Sequence, residues 1–113
     1  MLPAVPQARR VTADALARAG LASWPATLLV SELAANAVDH ARTEFELRIL
    51  LGRRLRVEVR DASQVLPARR TVDVESERGR GLHLLDCVAA DWGIKIGRPG
   101  KTVWFELDPS ALT

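Results

Sequence analysis

From Ala26 to Arg42 the chain contains neither Gly nor Pro and is built largely of good helix formers, so a helix is expected there. Its centre is Ser31-Glu32-Leu33-Ala34-Ala35-Asn36-Ala37-Val38-Asp39-His40. At about 100° per residue, Glu32, Asn36, Asp39 and His40 share one face. Val30, Leu33, Ala34, Ala37 and Ala41 cover the opposite face, as in a helix packed on a core. Glu32 and Asn36 are one turn apart, about 5–6 Å between Cβ atoms. An Asn offers a neutral oxygen to a hard cation, and a Glu can polarise a hydroxyl or a water. The same residues would also suit an ordinary helix showing polar side chains to solvent. What lies downstream decides between the two.

At 113 residues the chain has room for one domain with a modest core, and a single unit over 1–113 is expected. An apolar content of 48% with 27% charged residues describes a globular chain rather than a disordered one. No apolar run approaches the roughly 18 residues of a membrane span, and Met1-Leu2-Pro3 lacks the basic start of a secretory signal. No membrane association is therefore expected. Cys87, the one cysteine, falls in an apolar helical stretch, where a packed core thiol in a reduced, cytoplasmic protein is expected. The net charge is only +2, and the Arg pairs at 9–10, 53–54 and 69–70 have no interleaved aromatics. A single-strand nucleic-acid surface would need them, so direct nucleic-acid binding is not expected.

The spacing of Ala8, Val11, Ala15, Leu16 and Ala19 predicts a first helix from Pro6, ended by Gly20. The second helix opens at Ser23-Trp24-Pro25, with Ser23 placed to cap it and Pro25 in its first turn. Strands are predicted from Glu44 to Leu51 and from Leu55 to Asp61, joined by a turn at Gly52-Arg53. In the second of these, Leu55, Val57 and Val59 alternate with Arg56, Glu58 and Arg60, so one face meets water. Residues 62–78 have no period and form a long loop. From Gly79 to Ala90 a helical stripe of Leu82, Leu85, Val88 and Ala89 returns. Strands at Asp91–Ile96 and Lys101–Leu107 follow, around a Gly97-Arg98-Pro99-Gly100 turn. The order predicts an α+β fold, a two-layer sandwich with helices on one face of a mostly antiparallel sheet.

Three further pieces carry chemistry. Asp61 ends an apolar strand, where a carboxylate can accept from an exocyclic amine or simply form a turn. Gly79-Arg80-Gly81-Leu82 leads into a helix, where glycines let the backbone approach phosphate, or merely loosen the helix start. Thr102 enters the last strand, where a β-branched residue is also ordinary.

Taken in order, Glu32-x-x-x-Asn36, Asp61-x-Ser63, Gly79-x-Gly81-Leu82 and Lys101-Thr102 resemble the GHKL (Bergerat-fold) ATP-binding domain of gyrase, Hsp90, histidine kinases and MutL. The small size and the Val103-Trp104-Phe105-Glu106-Leu107 ending look most like the anti-sigma-factor serine kinases. The resemblance covers about residues 6–107. It implies ATP and Mg²⁺ as ligands, Asn36 as the Mg²⁺ ligand and Glu32 as general base. It further implies that Asp61 contacts the adenine amine, with Ser63 beside it and Thr102 near the base. Gly79, Gly81 and Leu82 would hinge and follow a lid at about 62–80, from which Arg78 or Arg80 reaches the γ-phosphate. His40 would support the pocket rim.

The chain departs from the family in two places. Ser63 and Val65 stand where the first glycine box, Asp-x-Gly-x-Gly, has its glycines. The family's opening strand also has no predicted counterpart before the first helix, a strand that often serves a dimer or partner surface. The resemblance implies a regulatory protein serine kinase that binds a sigma factor or phosphorylates a small antagonist domain, and it admits a homodimer. A non-catalytic nucleotide sensor, whose ATP-ordered lid sets partner affinity, is the alternative.

Overall fold

The computed structural model describes residues 4–41, 45–61, 84–97 and 100–112. Helix α1 (Ala4–Arg18) and helix α2 (Trp24–Ala41) come first, followed by strands β1 (Glu46–Leu51) and β2 (Leu55–Asp61). Residues 84–88 are helical, then come β3 (Asp91–Ile96), β4 (Lys101–Leu107) and a 3-10 turn at Pro109–Leu112. The four strands form one antiparallel sheet in the order β1-β2-β4-β3. The fold is α+β, a two-layer sandwich, as the sequence predicts.

The helix ends follow from local chemistry. Gly20 adopts φ +74°, a left-handed conformation that costs glycine little. The Leu21 N–H donates to Leu16 O (2.9 Å) and the Gly20 N–H to Ala17 O (3.0 Å), the paired bonds of a Schellman stop. At the start of α2 the Ser23 carbonyl accepts from the Thr27 N–H at 2.9 Å, which places Ser23 at the cap with Pro25 in the first turn. Within α2 the hydroxyls of Thr27 and Ser31 donate back to carbonyls one turn earlier, so neither needs solvent.

Alternation sorts the sheet into two faces. Leu55, Val57 and Val59 of β2 and Val103, Phe105 and Leu107 of β4 are buried against the helices. They meet Leu29, Val30, Leu33, Ala34 and Ala37 of α2, with Leu16 of α1 and Leu112 closing the core. Val30, Leu33, Ala34 and Ala37 of the stripe read from the α2 sequence are buried, and the Ala41 side chain lies outside the described residues.

The other face of the sheet carries charge. The Arg56 guanidinium lies 4.2 Å above the Trp104 ring and donates to Glu58 (2.9 Å) and Glu106 (3.0 Å). The bond to Glu58, then that to Glu106, raises its pKa above the usual arginine value against the opposing effect of burial. Trp104 sits across from Gly93, where a Cβ would come within 2.8 Å of the indole.

Local boundaries differ slightly from the sequence reading. Strand β1 begins at Glu46 rather than Glu44, and the β1–β2 connection takes in Arg54, whose carbonyl accepts from the Gly52 N–H at 3.2 Å. Of the predicted 79–90 helix, the described part is helical at 84–88, with Leu85 fully buried and Val88 and Ala89 half-buried. Cys87 corrects an expectation: it is exposed, not a core thiol. It lies two positions past the buried Leu85, about 200° around the helix, so apolar neighbours in sequence do not bury it. Among the described residues no helix is long and apolar enough to cross a membrane.

Candidate functional site

The site is built where α2 packs over the sheet. Helix α2 holds Glu32 half-buried and Asn36 only 9% exposed, while Ala35 and Val38 reach solvent. Asn36 therefore does not behave as an ordinary polar residue on a wet helix face. Its Nδ2 is buried and has no hydrogen-bond partner among the described residues. An unmatched buried polar group costs on the order of 1–3 kcal/mol, so its presence calls for a reason beyond packing. A carboxamide turned end for end exchanges oxygen for nitrogen, so the unmatched end can present the neutral oxygen that a hard cation takes. The observed environment of Asn36 fits a metal ligand.

The second polar group lies at the end of β2. Asp61 is 5% exposed and pairs in register with Lys101, the first residue of β4, itself 2% exposed. Lys101 Nζ donates to both carboxylate oxygens of Asp61 at 3.1 Å. Both side chains point toward the helices, as the parity of each strand requires: Asp61 follows Val59, and Lys101 precedes Val103. Two charges withdrawn from water in this way gain little net stability over apolar residues of the same size. They end the apolar rows on the same face of the sheet as α2.

Thr102 is not brought to this side. It pairs with Arg60, and its side chain lies on the outer face. There it lines a groove of about 360 Å³ with Arg48, Arg56, Arg60, Lys95 and Trp104. The expectation that Thr102 stands near the base has no support in this register; the residue beside Asp61 is Lys101. Strand parity could have shown this from sequence, since Val103, Phe105 and Leu107 already define the inward set.

Ser63, Arg78, Gly79, Arg80, Gly81 and Leu82 lie outside the described residues, as does the lid at 62–80. The His40 side chain, read as a rim element, also lies outside them.

Comparison with known proteins agrees with the fold. The family model for the histidine kinase-like ATPase domain matches residues 2–107, nearly the whole chain. No curated protein and no solved structure gave a match.

Proposed function

Since the chain belongs to the histidine kinase-like ATPase domain family, we propose that it binds ATP with Mg²⁺ and acts as a regulatory protein serine kinase of the anti-sigma-factor type. The observation that carries this reading is Asn36, buried, unmatched at Nδ2 and one helical turn beyond Glu32. Asn36 would hold the metal, which would offset the negative charge of the phosphates. Asp61 accepts from the exocyclic amine of adenine. Glu32 takes the proton of a serine hydroxyl as that oxygen bonds to the γ-phosphorus. The bond from the γ-phosphorus to its bridging oxygen then breaks, and ADP leaves. Phosphoryl transfer asks for little more than this positioning and charge stabilisation.

The acceptor is a serine on a small antagonist domain, and the alternative partner is a sigma factor. By trading one for the other, the protein controls transcription from the cytoplasm. One observation favours a second reading. Ser63 and Val65 replace the glycines of the first box, which suits a sensor that binds nucleotide without turning it over.

Incubation with γ-labelled ATP and candidate antagonist domains separates the two. The kinase reading predicts label on a partner serine. It also predicts a fall of roughly 10²–10⁴-fold in transfer by Glu32→Gln, the worth of a positioned general base, with ATP affinity retained. Wild-type protein whose partner affinity responds to ATP without any transfer would establish the sensor instead.

A further inference from the structure

The buried pair at the ends of β2 and β4 does more than the proposed contact from Asp61 requires. A carboxylate that only accepts from an amine has no need of an ammonium on both its oxygens. Yet Lys101 Nζ lies 3.1 Å from each, with 2% of the residue exposed. The ammonium has three N–H donors, of which two are directed at Asp61. The pair sets an acceptor directly beside a donor at the ends of β2 and β4.

We propose that Lys101 is a second base-reading residue, its ammonium donating to the ring nitrogen N1 of adenine while Asp61 accepts from the neighbouring amine. The inference rests on the adenine-nucleotide reading above and deepens it. Adenine presents donor then acceptor along this edge, the complement of acceptor then donor at Asp61 and Lys101. Guanine in the same placement presents its O6 oxygen to Asp61 and its N1–H to Lys101, and both contacts are repulsive. Asp61 alone would reject only the first. Lys101 thus adds selectivity at a position where the outward-facing Thr102 can add none.

The probe is 1-deaza-ATP, which keeps the amine and the phosphates and replaces N1 by C–H. Its affinity is measured beside that of ATP, by displacement of a fluorescent ADP, for the wild type and Lys101→Met. The wild type should bind 1-deaza-ATP at least about tenfold more weakly than ATP, the worth of one hydrogen bond to a charged donor. In Lys101→Met, ATP should weaken and the two ligands should bind within about twofold of each other. Should that variant not fold, Asp61→Asn/Lys101→Met carries no buried charge and should show the same levelled ratio. Equal binding of the two ligands by the wild type, or a ratio unchanged when Lys101 is replaced, would overturn the role of Lys101 while leaving ATP binding intact. Failure of the wild type to bind ATP at all would instead overturn the adenine reading, and the role of Lys101 with it.

Discussion

Replacing Lys101 by Met leaves the Asp61 carboxylate buried beside an apolar chain. Breaking a buried pair from one side costs about 3–5 kcal/mol, whereas replacing both partners by neutral groups of similar volume is often close to neutral. Urea unfolding should therefore show Lys101→Met strongly destabilised and Asp61→Asn/Lys101→Met recovering most of the loss. Equal losses in both would mean that the two side chains do not act as a pair. At this scale the sequence was legible in part. Asn36 and Asp61 can be singled out because each sits at a defined offset within a motif, and the structure buries both. Thr102 lies on the outer face because a strand sends sequence neighbours to opposite faces, which a motif of adjacent residues does not encode. Cys87 was misjudged for the matching reason on a helix: burial follows the angle from Leu85, not the apolarity of adjacent residues.

Among the elements, those with firm punctuation were read almost to the residue. Gly20 stops α1 and Ser23-Trp24-Pro25 starts α2, because each residue satisfies or removes a backbone group that a helix end leaves unmatched. The β2 and β4 strands were equally clear, since Leu55, Val57 and Val59 face a core while Arg56, Glu58 and Arg60 face away. What alternation does not reveal is a contact between strands such as that of Gly93 with Trp104. Adding one methyl there brings a Cβ within 2.8 Å of the ring, between two strands whose backbones are already bonded. Gly93→Ala should cost about 1–3 kcal/mol in urea unfolding by forcing the indole from its place under Arg56. Trp104→Leu in the same background should restore part of it. A Gly93→Ala variant as stable as the wild type would mean that the indole moves at no cost.

Across the whole molecule the two faces of the sheet have separate duties. The inner face joins the helices in a core and ends in the polar side chains of Asp61 and Lys101, and α2 brings Glu32 and Asn36 to the same layer. The outer face holds ion pairs such as Arg48 with Glu58 and Arg54 with Asp108, at surface positions where each is worth at most about 1 kcal/mol. The order of elements was legible because amphipathic helices and an alternating hairpin admit few arrangements in a chain this short. The proposed function requires the inner layer to bind ATP through a metal held at Asn36. It is tested most directly by melting the protein in ATP with and without Mg²⁺, for the wild type and for Asn36→Ala. Ligand at 100 times its dissociation constant should stabilise the wild type by about 2.7 kcal/mol. The Mg²⁺-dependent part of that gain should be lost in Asn36→Ala, whose ligand-free form loses no matched Nδ2 bond. A wild type whose melting temperature does not move in millimolar Mg-ATP, or an Asn36→Ala variant with the full Mg²⁺-dependent gain, would contradict it.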